Sequence, residues 1–336
     1  MKLAVVILNY NGASMLSRFL PSVVKYSSGA EIVVADNAST DDSVAVVANG
    51  FPTVRLIQLD RNYGFADGYN RALEQVDAEY MLLLNSDVEV SDGWLEPLLS
   101  FMEGNPNAVA CQPKILAYNN KKHFEYAGAS GGFIDSYGYP YCRGRLFETI
   151  EEDKGQYDDI SQIFWATGAA MMVRSDAFRK AGGFDGRFFA HMEEVDLCWR
   201  MLSRGGVIYV VPQSKVYHVG GATLSKSNPH KTFLNFRNNL LMLYKNLPDG
   251  ELRRVMRIRA VLDYVAAFKF LVTGALGDFK AVLRARREYR QLRGEYKIVR
   301  EQNLAATQVP VIRECAAFSL LWQYYVKGKK YFSQLK

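Results

Sequence analysis

Cysteine is scarce in this sequence of 336 residues, and its four cysteines are widely scattered along the chain. Zinc sites and disulfide frameworks need cysteines at close, regular spacings, so the sequence indicates neither of them. A reducing compartment such as the cytosol fits this composition.

Long apolar runs are also missing. Although 49% of the residues are hydrophobic, no uncharged apolar run reaches the roughly 18 residues of a simple transmembrane helix. At the start, MKLAVVILNYNG, the polar Asn9 and Asn11 come too early for the apolar core of a signal peptide. We expect this segment to be a first strand.

The sequence lacks the standard phosphate-binding loops. Residues 60–72, DRNYGFADGYNRA, place Gly64 and Gly68 before a predicted helix, where they offer backbone N–H groups to an anion or allow close packing. The stretch is neither GxGxxG nor a P-loop with its lysine. The loop after the first strand has no basic residue, which disfavours a sugar nucleotidyltransferase.

Charge is distributed unevenly. Residues 246–336 hold 18 Lys and Arg against 8 Asp and Glu, a net charge of +10. The other 23 basic and 27 acidic residues give residues 1–245 a net charge of −4. We therefore predict two regions, an α/β domain over residues 1–245 and a basic amphipathic helical region over residues 246–336.

Short apolar runs alternate with segments of helical spacing in the first region. The predicted strands are 4–10, 31–37, 54–60 and 80–87. This alternation is typical of a parallel sheet with crossover helices. The runs end near Asn9, Asp36, Asp60 and Asp87. Because parallel strands end at one edge, we expect a polar site there.

The rest of this region is less regular. A further strand is predicted at 108–116, followed by an irregular insertion over 117–160. Residues 166–178 read as a strand entering a helix, and 182–189 as a Gly-punctuated loop. Residues 191–206 form a predicted helix that stops at a glycine pair.

Asp87 ends the apolar run LLLNSD and has two interpretations. It could cap the following element, or it could hold Mg²⁺ or Mn²⁺, which take carboxylates, water and substrate phosphates as ligands. His218 follows the strand-like VIYVVP and could be a second ligand that favours Mn²⁺, or a satisfied core histidine.

Glu193, Glu194 and Asp196 lie in the first turn of the predicted helix 191–206. Successive helical residues diverge by about 100°, so at most one or two of these carboxylates can enter one site. They are either a solvated acidic turn favoured by the helix dipole or the source of a general base.

The basic region carries one predicted apolar stripe flanked by arginines, with steps of three and four residues. Its members are Val261, Val265, Phe268, Val272, Ala275, Phe279 and Val282. Such a stripe fits a helix on an anionic membrane surface, or one that packs on the α/β domain or on a second subunit in a homodimer. It suits nucleic-acid binding poorly.

Several motifs, taken in order, resemble the family 2 glycosyltransferases of the GT-A fold, especially their bacterial rhamnosyltransferase-like branch. They are ILNYNG, VVADNASTDDS, RNYGFADGYNRA, LLLNSD, TGAAMMVRSDAF, GGFDGRFF, EEVDLCWR and VYHVGG. The resemblance covers roughly residues 3–245. It implies an α/β, Rossmann-like domain with a mostly parallel sheet, flanking helices and a C-terminal helical extension.

The resemblance also implies a reaction. An inverting, Mn²⁺- or Mg²⁺-dependent enzyme would move a sugar from a nucleoside-diphosphate donor, such as dTDP-rhamnose or a UDP-sugar, to a glycan or lipid-linked glycan. It would serve bacterial surface polysaccharide synthesis at the inner face of the cytoplasmic membrane. The alternative is a non-catalytic nucleotide-sugar-binding or scaffold protein, because two motifs are substituted.

By this resemblance, Asp36 contacts the nucleotide base beside the loop of Asn9 and Asn11. Asn62, Gly64 and Asn70 belong to the stretch that shapes the nucleotide pocket.

Asn85-Ser86-Asp87 occupies the DxD position, where Asp87 meets the metal and the diphosphate. Because the first Asp is Asn85 here, His218 is the implied second ligand.

Glu193-Glu194 replaces the family's Glu-Asp pair, whose second member is the base. Glu is longer than Asp, so the choice between Glu194 and Glu193 stays open. The implied acceptor side is Trp165, Thr167, Gly168 and Ala169, with Asp196 either beside it or structural as a partner of Arg200.

Overall fold

The computed structural model describes residues 1–220 and 228–335. Gly221, which closes the VYHVGG motif, lies outside the described residues. The strands are β1 (Leu3–Asn9), β2 (Glu31–Asp36), β3 (Arg55–Gln58), β4 (Tyr80–Asn85), β5 (Val88–Val90), β6 (Ala108–Ala117), β7 (Asn120–Phe124), β8 (Gly132–Asp135), β9 (Pro140–Cys142), β10 (Arg145–Leu146), β11 (Thr149–Ile150), β12 (Ser161–Gln162), β13 (Ala170–Arg174), β14 (Val207–His218) and β15 (Cys315–Ala316).

Helices surround these strands. They are α1 (Ala13–Tyr26), α2 (Ser43–Gly50), α3 (Gly64–Leu73), α4 (Glu96–Gly104), α5 (Ser175–Ala181), α6 (Glu193–Ser203), α7 (Pro229–Asn246), α8 (Asp249–Val272), α9 (Leu276–Leu292) and α10 (Lys297–Ala305). A short π-helical turn, Trp322–Val326, lies near the C-terminus.

The main sheet has the order β12-β14-β6-β13-β4-β1-β2-β3, with β5 paired to β14 and β7 to β6. Strands β1 to β4 are parallel, and β13 runs antiparallel between β4 and β6. Side chains of β1 alternate between two cores: Val6 packs on one face and Val5 on the other. Helices cover both faces, which explains the unbroken apolar runs. The predicted α/β fold is confirmed, but its main sheet is mixed: four strand pairings are parallel and five are antiparallel.

The insertion over residues 117–160 is more ordered than predicted. It contains β7 to β11, and β8 to β11 join β15 in a second, five-stranded sheet. The prediction of an irregular segment was wrong because strands of two to five residues are too short to show a clear period of two.

The C-terminal helices pack on the α/β domain. Arg259 of α8 donates to the Tyr137 carbonyl at 2.8 Å, and the backbone N–H of Gln308 donates to the Ser203 carbonyl at 2.7 Å. The predicted boundary after residue 245 falls within α7, where the buried Lys245 contacts Asp196.

The predicted continuous apolar stripe from Val261 to Val282 is wrong. The chain turns at residues 273–275, so the stripe is divided between α8 and α9. Val282 is buried, whereas Val261 is exposed. Within residues 1–220 and 228–335, no helix combines the length and apolar character needed to cross a membrane.

Candidate active site

Polar residues gather at the carboxyl edge of the main sheet. In the strand register Asn9 lies opposite Asp36, and Leu8, next to Asn9, lies opposite Asn85. Asp60 was predicted to end a strand at this edge, but it lies beyond the end of β3. Strand β3 ends at Gln58, and the exposed Asp60 accepts a hydrogen bond from the Tyr63 hydroxyl at 2.8 Å.

Asn9, Asn11 and Asp36 meet around one turn. The Asn9 amide donates to the Asp36 carboxylate at 3.1 Å, and the backbone N–H of Ser39 donates to its other oxygen at 2.9 Å. Asn11 accepts from the Thr40 backbone N–H at 2.7 Å. The buried Asn9 Oδ1 has no protein hydrogen-bond partner, so this cluster retains an acceptor for a ligand.

Asn37 is a residue that the sequence reasoning missed. Its side chain donates to Asn62 at 3.1 Å and to the Gly64 carbonyl at 2.9 Å, and it accepts from the Tyr63 backbone at 3.0 Å. It therefore ties the end of β2 to the start of α3. Its position directly after Asp36 was the available signal.

Gly64 has a φ of +74°, and a Cβ there would lie 2.4 Å from the Phe189 ring. Both features favour glycine. Asn70 serves another contact: its amide exchanges two hydrogen bonds of 2.9 Å with the Phe184 backbone. Both ends of this amide hold the loop before α6.

Asp87 and His218 are brought together by the pairing of β5 with β14, in which Val88 lies opposite His218. The buried Asp87 Oδ1 lies 3.1 Å from His218 Nε2, and the Asn85 amide nitrogen lies 3.4 Å from the same ring atom. Asp87 and His218 are 131 positions apart in the chain, and only folding makes them neighbours.

Glu125 completes this cluster and was also missed. Its buried carboxylate lies 3.3 Å from His218 Nδ1. A single glutamate in a segment without clear periodicity gives no sequence signal. A carboxylate on the second ring nitrogen is the arrangement that orients metal-binding histidines.

The charges in this cluster are mutually dependent. Burial alone would lower the pKa of His218, but the nearby carboxylates of Asp87 and Glu125 outweigh it and raise the pKa to about 10. Burial likewise opposes ionisation of Asp87, yet the contact with His218 holds the pKa of Asp87 below its usual value.

A divalent cation fits these residues if other groups complete its coordination. Among the described residues, no three His, Cys, Asp or Glu side chains converge as a complete metal site. Asp87 and His218 nevertheless present a carboxylate oxygen and an imidazole nitrogen at one point. Such partial sites suit a cation that takes its remaining ligands from substrate phosphates and water.

The loop before α6 is strained. Phe189, His191 and Met192 all have positive φ values, between 64° and 72°. The Phe189 carbonyl accepts from the Phe65 backbone N–H at 2.6 Å, and Asn238 donates to the His191 carbonyl at 2.8 Å. These contacts stabilise a conformation that non-glycine residues rarely adopt, a feature found at functional sites.

Glu193 and Glu194 follow this loop and differ in accessibility. Glu193 is buried and Glu194 only partly so, and each has one carboxylate oxygen without a hydrogen-bond partner. Desolvation raises the pKa of Glu194 to about 7. Desolvation and the neighbouring Glu194 raise the pKa of Glu193 well above its ordinary value.

Asp196 is fully buried in an ion-pair network. Its carboxylate lies 2.9 Å from both Arg200 and Lys245, and it accepts from the Asn246 amide at 2.8 Å. Burial opposes its ionisation, but Lys245 and Arg200 hold the pKa of Asp196 below its usual value. With both oxygens occupied, this residue joins α6 to α7.

The residues predicted for the acceptor side point inward. The buried Trp165 donates from its indole to the Phe133 carbonyl at 3.0 Å. The Thr167 hydroxyl is buried and accepts from the Ala169 backbone N–H at 3.2 Å. A Cβ on Gly168 would lie 2.9 Å from the Phe65 ring, so packing alone accounts for this glycine.

The chain belongs to glycosyltransferase family 2, because the family model "Glycosyl transferase family 2" matches residues 4–182, more than half of its length. An N-acetylglucosaminyl-diphospho-decaprenol L-rhamnosyltransferase of Mycobacterium tuberculosis is 28% identical over 64% of this chain and 75% of the relative. A dTDP-rhamnosyl transferase of Shigella flexneri is 25% identical over 64% of this chain and 71% of the relative.

Solved structures agree on the fold. GalNAc-T7, crystallised with UDP, GalNAc and Mn²⁺, matches 97% of this chain and 56% of its own, with a TM-score of 0.61 and 18% identity. Staphylococcus aureus TarS 1–349, in complex with UDP-GlcNAc, matches 91% of this chain and 89% of its own, with a TM-score of 0.57 and 16% identity. The fold is GT-A, and the protein is a glycosyltransferase.

Proposed function

We propose that this enzyme is an inverting, metal-dependent transferase. It moves a sugar from a nucleoside-diphosphate donor, dTDP-rhamnose or a UDP-sugar, to a glycan or lipid-linked glycan. The observation that carries the proposal is the 3.1 Å approach of Asp87 to His218 at the sheet edge that also holds Asp36. Two relatives named as rhamnosyltransferases support the choice of donor.

In this proposal the residues divide into a donor side and a base. The Asn9, Asn11 and Asp36 cluster, with Asn62 and Gly64, receives the nucleotide, while Asp87 and His218 hold Mn²⁺ or Mg²⁺. When bound, the cation would neutralise charge on the departing diphosphate. GalNAc-T7, which was crystallised with Mn²⁺, supports a divalent metal here.

Glu194 is the proposed base, because Glu193 is more deeply buried. The Glu194 carboxylate takes the proton from an acceptor hydroxyl as that oxygen attacks the anomeric carbon. The bond from this carbon to the diphosphate oxygen breaks, and the nucleoside diphosphate leaves with the bonding electrons. We propose that the product is part of a bacterial surface polysaccharide and that the reaction takes place at the inner face of the cytoplasmic membrane.

Thermal unfolding with nucleotides tests the donor side without an acceptor. We expect dTDP or UDP, but not GDP or CMP, to raise the melting temperature in the presence of Mn²⁺. A ligand at 100 times its Kd adds about 2.7 kcal/mol to the free energy of unfolding. Asp87→Ala should abolish the metal-dependent part, whereas Asp176→Ala, an exposed aspartate on α5, should keep it. If none of the four nucleotides raised the melting temperature, the proposed donor site would be refuted.

A further inference from the structure

Helix α8 has an exposed apolar stripe. Val261, Val265, Phe268 and Val272 lie on one face, and each is between 61% and 64% exposed. The opposite face, which includes Val255 and Ala267, is buried. Single exposed apolar residues are ordinary on protein surfaces, but a contiguous row on a helix that already has a packed face indicates an interaction surface.

The stripe continues beyond α8. Leu276, at the start of α9, is 54% exposed. The ammonium group of Lys269 lies 5.8 Å from the centre of the Tyr325 ring, which places the π-helical turn beside the last turns of α8. In that turn Trp322, Tyr325 and Val326 are 55% to 59% exposed. Together these side chains form one apolar and aromatic surface, here called the α8 surface.

Basic residues border the α8 surface. Arg254 and Arg257 are exposed and precede Val261 by seven and four residues, so they lie on the same helical face. Further exposed basic residues are Lys269 on α8 itself, and Lys280, Arg284, Arg287 and Lys327 on neighbouring segments.

Apart from the exposed Asp249 and Glu251 in the first turn of α8, the acidic residues of α8 and α9 are engaged elsewhere. Asp263 is buried against Arg259 and Arg286. Asp278 accepts from the Thr232 hydroxyl at 2.6 Å, and Glu288 pairs with Arg237 at 2.7 Å. The outward side of these helices is therefore strongly positive.

We propose that the α8 surface docks the enzyme on an anionic lipid bilayer. Aliphatic and aromatic side chains within a basic border match the composition of segments that lie at the membrane interface. Each basic residue near an anionic leaflet adds to the attraction. A second copy of the chain fits less well, because a symmetric dimer would bring two positive borders together.

The α8 surface is connected to the loop that precedes the proposed base. Ala190 packs in the same small cluster as Phe233 of α7 and Ala281 and Ala285 of α9, and Leu276 lies at the exposed start of α9. Docking would therefore hold the acceptor side near the bilayer. This last step rests on the proposed function, since it supposes a lipid-linked acceptor.

Vesicle co-sedimentation of the full chain tests the docking. We expect binding to vesicles that contain phosphatidylglycerol, no binding to pure phosphatidylcholine, and loss of binding as salt rises. Val265→Ser with Phe268→Ser should weaken binding by roughly tenfold or more. Arg254→Gln and Arg257→Gln should each weaken it by roughly fivefold. Ile160→Ser, at an exposed isoleucine that follows Asp158 and Asp159, is the control and should bind normally.

Three results would overturn the proposal that the α8 surface docks on a bilayer. These are no binding by a folded protein, equal binding to neutral vesicles, and normal binding by the Val265→Ser, Phe268→Ser variant. Analytical ultracentrifugation of the unaltered protein without lipid should show a monomer. A dimer that the Val265→Ser, Phe268→Ser variant dissociates would instead assign the α8 surface to contact with a second copy of the chain. The assay contains no nucleotide, so failure of the proposed donor site would leave vesicle binding intact.

Discussion

At the scale of single residues, Glu194 combines partial burial with an unpaired carboxylate oxygen at the start of α6. A general base must be ionised to accept a proton. Because the pKa of Glu194 is raised to about 7, the carboxylate is increasingly protonated below that pH.

We expect kcat to rise as pH increases through about 7 and then to level off, measured as release of nucleoside diphosphate in the presence of acceptor. Glu194→Gln should lower kcat by about 10² to 10⁴ and remove this rise, while donor binding by calorimetry stays unchanged. Full transfer by Glu194→Gln would disprove the assignment, and the same loss in Glu193→Gln alone would move the base to Glu193.

Glu125 acts through His218. Since its carboxylate lies 3.3 Å from His218 Nδ1, Glu125→Gln should leave the imidazole poorly oriented as a ligand. Loss of such a partner typically weakens metal affinity by about 10- to 100-fold. We expect that decrease in Mn²⁺ affinity, measured by titration calorimetry with saturating nucleotide. Glu152→Gln, at an exposed glutamate of the same segment, should bind Mn²⁺ normally; equal affinity in both variants would exclude this role for Glu125.

The sequence identified part of this cluster and missed the rest for a physical reason. Asp87 and His218 follow apolar runs, and a strand end is a position that a pattern can reveal. Asn37 also stands at a strand end, whereas Glu125 and Asn238 owe their positions to contacts with distant residues, which leave no periodic trace. A resemblance to family motifs supplied residue roles that spacing alone could not.

At the scale of elements, α6 and α7 are joined by a buried charge. Asp196 is in contact with Arg200, Lys245 and Asn246. Removing one member of a buried ion-pair network leaves its partners desolvated and unpaired, which typically costs about 3 to 5 kcal/mol.

We expect Asp196→Ala to lower the free energy of unfolding by that amount, measured by urea denaturation. Asp176→Ala is the matched comparison. Asp176 also lies at the start of a helix and pairs with a basic residue four positions later, Lys180, but this pair is on the surface. That exposed pair should contribute about 1 kcal/mol or less. Equal losses in the two variants would show that the network contributes no special stability.

At the scale of the whole molecule, the basic region is not an appendage. Arg259 reaches the Tyr137 carbonyl, the backbone of residue 308 bonds to Ser203, and β15 pairs with β8. A chain ending at residue 246 would expose all these contacts.

We therefore expect the fragment 1–246 to lack a cooperative thermal transition, whereas the full chain should melt in a single step by calorimetry. The apolar faces that the fragment exposes should also make it aggregate. A fragment that melts cooperatively and binds nucleotide would establish residues 1–245 as an independent domain, as the charge asymmetry of the sequence predicts.

The sequence by itself determined the α/β architecture and its parallel strands β1 to β4, because buried strands and crossover helices impose distinct periods on apolar residues. It also located the acidic and amide groups at strand ends. Tertiary structure decided which of these groups meet, through a strand pairing that joins Asp87 to His218 across 131 positions. It also decided that the stripe of α8 faces outward, since an amphipathic period shows that a helix has two faces but not which face the protein covers.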